Sequence, residues 1–100
     1  MGNIHDYRKA LIARIVDGDG KSTSQQRRAA FEGTGPEPAR PLVEKVAKHA
    51  YKVTDEDVAA AKAAGLTEDQ VFELVVCTAI GEANRQLETA LAALEAATTE

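Results

Sequence analysis

The stretch from Glu68 to about Ala96 most constrains the fold, because its pattern predicts one helix that is long for so short a chain. At about 1.5 Å per residue this helix would be roughly 43 Å long. A compact domain of 100 residues is only about 33 Å across. We therefore expect the helix to be interrupted by a bend near Gly81 or to project onto another subunit.

The two halves of this predicted helix differ in their apolar pattern. The first half is apolar on nearly every side, which is typical of a helix surrounded by protein. The second half narrows to one stripe that is long enough to bind a partner helix. The apolar residues of the first half are Val71, Phe72, Leu74, Val75, Val76, Cys77, Ala79 and Ile80, and those of the stripe are Ala83, Leu87, Ala90, Leu91 and Leu94.

The rest of the chain predicts four shorter helices. The first runs roughly from 4 to 16, with Asn3 placed to cap it, and the second extends to Glu32. A connection with three prolines, at 33–41, leads into the third, and the fourth runs from Thr54 to Gly65. No segment alternates as a strand does, so the predicted fold is all-α, with about five helices.

The segment DGDGKSTS, at residues 17–24, resembles both a phosphate-binding loop and a calcium loop but meets the requirements of neither. A phosphate loop needs a glycine where Ile15 stands and a preceding strand instead of a helix. A calcium loop needs oxygen ligands where Lys21 and Arg28 stand. We expect a hinge between the first two helices, with serine or threonine caps at 22–24 in capping-box spacing, either Ser22 with Gln25 or Thr23 with Gln26.

Charge and composition exclude several classes of partner. The net charge of −4 gives no general reason to bind nucleic acid or an anionic membrane. The charge is uneven: residues 1–50 carry nine basic and six acidic residues (+3), and residues 51–100 carry three and ten (−7). This asymmetry could guide the packing of one chain on another, or it could reflect solvated helix faces. No apolar segment predicts a signal peptide or a membrane span, so we expect a cytoplasmic protein.

Candidate site residues cluster at the junction of the third and fourth helices. His49, Tyr51, Lys52 and Asp57 could line a pocket, or they could form a solvated helix junction with a capping cluster. Glu73 is a carboxylate among apolar neighbours in the long helix. It could face solvent or a partner, or meet a basic residue from the N-terminal half.

The sequence contains few residues that could carry out redox chemistry or bind a metal. The single cysteine, Cys77, excludes a disulfide within the chain and a two-cysteine redox pair, and its apolar helix predicts a buried packing residue. His5 and His49 lack further ligands at helical spacing. We expect no metal and no cofactor.

The segment VTDEDVAAAKAAGLTEDQVFELVVCTAIGEANRQLETALAAL, residues 53–94, resembles the core of the carboxymuconolactone decarboxylase-like family, which includes the alkylhydroperoxidase D-like (AhpD-like) proteins. The shared pattern is an Ala-rich helix, a Gly-Leu-Thr-acidic turn, and an aliphatic helix interrupted by glycine. The resemblance implies one all-helical domain over 1–100, with an N-terminal helical arm at 1–33 and a family-like core at 39–97. It also implies a homo-oligomer, such as a trimer or hexamer.

The redox motif of the family's peroxidases has no counterpart in this chain. The resemblance would place a Cys-x-x-Cys pair at Ala50 and Val53, its histidine at Asp57 and an assisting acid near Glu37. Disulfide exchange needs a second thiol, so we expect no thiol peroxidase activity.

Three functions remain open from the sequence. The first is a small oligomeric AhpD-like protein without peroxidase cysteines, with a binding or structural role. The second is an enzyme acting on a small organic acid or lactone near His49, Tyr51 and Asp57, with Glu73 as a further candidate. The third is a helical protein-interaction module.

Overall fold

The computed structural model describes the backbone of residues 3–98 and the side chains of residues 5–98. Over that range the chain forms helices and connecting turns and contains no strand, which confirms the all-α prediction. The five helices are α1 (Asn3–Asp17), α2 (Ser24–Phe31), α3 (Arg40–His49), α4 (Asp55–Ala63) and α5 (Glu68–Thr98), and a 3₁₀ turn, Ala50–Lys52, follows α3. The predicted cap at Asn3 concerns a side chain outside the described residues.

Three helices are each preceded by a threonine that caps the helix together with a polar residue three positions later. In each case the threonine hydroxyl accepts the backbone N–H of the third helical residue, and that residue's side chain accepts the backbone N–H of the threonine. Two alternative caps were predicted at the hinge, and the structure forms the one at Thr23. The distance from Gln26 N to Thr23 Oγ1 is 3.1 Å. The three pairs are Thr23 with Gln26, Thr54 with Asp57, and Thr67 with Gln70.

The core lies where α2, α3 and α4 pack against the first half of α5. Ala30 of α2, within the predicted N-terminal arm, belongs to the same buried cluster as residues of α3 and α5. The cluster consists of Ala30, Ala39, Leu42, Val43, Ala61, Leu66, Val71, Leu74 and Cys77.

The predicted interruption near Gly81 is wrong, because α5 is one helix from Glu68 to Thr98. The glycine instead permits a close helix crossing. A Cβ at this position would lie 1.8 Å from the carbonyl oxygen of Phe31 at the end of α2. Arg85, one turn further along α5, donates from Nη1 to that same oxygen at 2.7 Å.

The other helices of the chain cover only part of α5. In the first half Phe72 is 68% exposed and Ala79 is exposed, so the prediction of a helix surrounded by protein does not hold within one chain. Of residues 86–98, all but Leu91 are exposed. The molecule accordingly measures 54 × 29 × 16 Å. None of the described helices combines the length and apolarity that a membrane span requires.

Candidate functional site

The predicted site at the α3–α4 junction is built from an exposed turn. His49 ends α3, and the 3₁₀ turn carries Tyr51 away from the core with 82% of its surface exposed. The His49 and Tyr51 rings meet edge to face at 6.1 Å, and Lys52 Nζ lies 5.8 Å from the centre of the Tyr51 ring. His49 and Lys52 are exposed as well, so these side chains form a solvated surface.

Asp57 is held by structural contacts. Its carboxylate accepts the backbone N–H of Thr54 at 2.9 Å and pairs with Lys45 Nζ at 2.9 Å. The Thr54 N–H, together with the hydrogen bonds and charge of Lys45, lowers the pKa of Asp57. A carboxylate with a lowered pKa is ionised at neutral pH, and its hydrogen bonds serve the start of α4. The geometry therefore gives Asp57 the role of a capping residue.

Glu73 joins α5 to the DGDGKSTS loop. Its carboxylate accepts the backbone N–H of Lys21 at 2.8 Å, and the N–H and hydroxyl of Ser22 at 2.8 and 2.6 Å. Arg27 Nη1 lies 3.9 Å from Glu73 Oε1, so Glu73 does meet a basic residue from the N-terminal half. Burial raises the pKa of Glu73, but the hydrogen bonds from the loop and the charge of Arg27 outweigh burial and leave the pKa lowered.

Arg27 is the member of this cluster that the sequence analysis missed. Its side chain is buried, and its guanidinium donates to the backbone oxygens of Val16, at 2.8 Å, and of Gly18 and Ser22. A signal was present in the sequence, since Arg27 lies one turn from the apolar pair Ala30 and Phe31 on α2. A cation on the apolar face of a helix indicates a buried partner.

The loop behaves as a hinge whose donors are already used. The N–H groups of Lys21 and Ser22 donate to the Glu73 carboxylate, and the N–H of Thr23 donates to Gln26 Oε1 at 2.8 Å. A phosphate-binding loop must present such backbone N–H groups to the ligand. The described residues also contain no group of three or more His, Cys, Asp or Glu side chains that could hold a metal ion.

Cys77 is a buried packing residue, as predicted. Burial is the main cause that raises the pKa of its thiol, and Sγ lies 3.8 Å from the backbone oxygen of Ile15. A cavity of 120 Å³ adjoins it, lined by Ile15, Asp19, Arg27, Phe72, Glu73, Val76 and Cys77. A thiol with a raised pKa is a weak nucleophile at neutral pH, so this cavity lacks an activated cysteine.

Comparison with models of protein families, with curated protein sequences and with solved structures finds no significant match. The likeness to AhpD-like proteins therefore remains an expectation from the sequence pattern.

Proposed function

We propose that this chain is a non-redox, homo-oligomeric helical protein of the AhpD-like type, with a binding or structural role. The observation that supports this proposal is the uncovered second half of α5. Leu87 and Leu94 are 42% and 61% exposed on one stripe, and neighbouring helices leave almost all of residues 86–98 in solvent.

Exposing the apolar stripe of α5 to water is energetically unfavourable. Isolated helices of about 12–15 residues are marginal in water, and most helical stability in proteins comes from packing an amphipathic face. Burying the side chain of one leucine contributes about 1.5–3 kcal/mol. The second half of α5 would gain both helical stability and apolar burial by packing on another copy.

The charges of the chain suit contact between copies. Beyond Arg85, α5 carries Glu88 and Glu95 and no cation, and its last turn contains no basic residue to offset the helix dipole. The N-terminal half of the chain carries a net charge of +3, from nine basic and six acidic residues. Opposite charges on the two halves favour a defined orientation between neighbouring subunits.

The other two functions have weaker support. An enzyme acting on an organic acid at His49, Tyr51 and Asp57 stays a prediction, and the geometry adds no observation in its favour. Thiol peroxidase chemistry lacks a second cysteine, and the one thiol is buried. An interaction module for a different protein would use the same stripe on α5, and the experiment below separates it from self-association.

The test is the mass of the protein in solution. The parent chain should run as a multiple of 10.6 kDa by light scattering at micromolar concentration. The double variant Leu91→Glu, Leu94→Glu should run as a monomer, because two carboxylates would be buried without partners.

A matched control adds the same two charges to the opposite face of the helix. Ala92→Glu, Ala96→Glu should leave the mass of the oligomer unchanged, since both alanines point away from the stripe. A parent chain that is monomeric at micromolar concentration would refute the proposal.

A further inference from the structure

Two adjacent cavities, one apolar and one polar, lie at the contact between α1 and α5. The apolar part has a volume of 140 Å³, with Leu11, Ile12, Ile80, Ala83 and Leu87 in its walls. The polar part has a volume of 220 Å³ and includes His5, Lys9 and Glu88. Arg8, Ile12 and Asn84 line both parts and form the boundary between them, and we call the two parts together the α1–α5 groove.

Donors in the polar part converge on a carboxylate oxygen. Glu88 Oε1 lies 3.1 Å from Asn84 Nδ2 and 3.5 Å from Arg8 Nη1. Arg8 Nη1 also donates to Asn84 Oδ1, and Arg8 Nη2 lies 3.3 Å from His5 Nδ1. A guanidinium beside an amide N–H is a good arrangement for binding a carboxylate.

Glu88 occupies this position only loosely. Its side chain is 60% exposed, whereas that of Arg8 is 24% exposed. An exposed ion pair at 3.5 Å contributes little to stability, so Glu88 can rotate into water at small cost. The two donors would then be free for an anion from outside the chain.

We propose that this groove binds a small amphipathic carboxylate, with a body about the size of a benzene ring in the apolar part and its carboxylate on Arg8 and Asn84. The volume of the apolar part is close to the roughly 150 Å³ of an enclosed apolar cavity that holds benzene, although the exposed side chains of Leu11 and Leu87 leave this groove open to solvent. Arg8 and Lys9 against Glu88 leave the polar part with a net positive charge, which complements an anion.

The apolar part of the groove shares Ala83 and Leu87 with the stripe on α5, so a second copy packed on the stripe would compete with the ligand. Leu91 and Leu94 do not line the groove. The variant Leu91→Glu, Leu94→Glu should therefore bind the ligand at least as tightly as the parent does. Because this variant keeps the groove and removes the self-association surface, a failure to bind the ligand and a failure to assemble are separate results.

The probe is 3-phenylpropionate, titrated into ¹⁵N-labelled protein and followed by amide chemical shifts. We expect saturable shifts confined to α1 and to residues 80–88 of α5. The neutral amide of the same acid should bind about tenfold more weakly, because it loses the charge-assisted hydrogen bond to Arg8. Shifts that map elsewhere, equal binding of the amide, or no saturation by about 10 mM would overturn the proposal.

Two variants test the two parts of the groove separately. Arg8→Gln should weaken 3-phenylpropionate binding about tenfold, and Ala83→Leu should weaken it at least as much by filling the apolar part. The control Arg14→Gln removes an exposed cation from the same helix and should leave binding unchanged. Thermal melts report whether each variant is folded, and unchanged binding in both folded groove variants would contradict the assignment.

A third variant tests the displacement of Glu88. Glu88→Gln removes the competing negative charge, so it should strengthen binding about twofold or more. Weaker or unchanged binding would show that Glu88 does not compete with the ligand.

Discussion

The two halves of α5 belong to one continuous helix but differ in how the chain covers them. The first half carries Leu74, Cys77 and Thr78, each at most 1% exposed, and packs against α2, α3 and α4. The second half carries Leu87 and Leu94, which are 42% and 61% exposed. The two halves meet at Gly81, where the end of α2 crosses the helix.

This difference shows that apolar content alone does not report burial within one chain. Leucines recur at helical spacing in both halves, yet only the first half has neighbours that cover them. The first half acts as the centre of the core. The second half has the composition of a packing surface and the exposure of a surface helix, which is the combination expected at an interface between subunits.

The largest expected difference is between two leucine truncations. Leu74→Ala should lower the free energy of unfolding by about 3–5 kcal/mol, because Leu74 is 1% exposed and a cavity would remain. Leu94→Ala should change it by less than about 0.5 kcal/mol in the monomer. Urea unfolding at low protein concentration measures both.

Raising the protein concentration sharpens this comparison. If copies assemble through the stripe, the cost of Leu94→Ala should grow with concentration, while that of Leu74→Ala in the core should be large throughout. Equal small effects of the two variants at every concentration would contradict the division of α5.

The next effect concerns the crossing at Gly81. Gly81→Ala should destabilise the protein by about 2–3 kcal/mol, because the new Cβ would lie 1.8 Å from the Phe31 oxygen and α2 would have to shift. In an ordinary helix interior the same substitution stabilises by about 1 kcal/mol.

The test is therefore whether Gly81→Ala lowers or raises the free energy of unfolding. The control Ala92→Gly lies in the exposed second half, on the face opposite the stripe, and should cost only about 1 kcal/mol, the difference in helix propensity. A stabilising Gly81→Ala, measured by thermal or urea unfolding, would refute the close crossing.

The smallest effect is pH-dependent and belongs to the first half. Glu73→Gln should cost about 1–2 kcal/mol at neutral pH, since the loop N–H groups would lose a charged acceptor. The pKa of Glu73 is lowered from its usual value of 4.5, so its contribution is present above about pH 4.5 and disappears as the pH falls through the folded-state value. Parent and variant should therefore converge in strong acid.

The matched control is Glu44→Gln on α3, an exposed carboxylate. Its stability difference from the parent should be small at every pH. If the Glu73→Gln difference stayed constant through the acid range, the contacts of Glu73 with the loop would not depend on its charge.

The features predicted correctly from the sequence are those that depend on nearby residues. The five helices followed from apolar spacing, and one of the two capping pairs expected at residues 22–24, Thr23 with Gln26, forms at the start of α2. The buried position of Cys77 followed from its apolar helix. Each of these features depends on residues within one or two helical turns.

What the sequence could not predict depends on distant contacts. Glu73 and Ser22 are 51 positions apart, so no local pattern indicated their hydrogen bond. A bend was predicted because the helix is longer than a compact domain, and it was placed at Gly81 because glycine weakens helices. The cost of that glycine, about 1 kcal/mol, is small against the packing of α2 on α5. Closeness in sequence left two interpretations of His49 and Tyr51, a pocket and a solvated helix junction, and the exposure of both side chains favours the second.

The crossing at Gly81 also makes the rest of α5 a lever. From Gly81 to Thr98 the helix extends about 26 Å beyond this crossing. A rotation of α5 by about 10° at the crossing would move the tip of the helix by about 4.5 Å, which is nearly the rise of one helical turn. If copies assemble through the stripe, a substitution at Gly81 would therefore change the angle at which they meet.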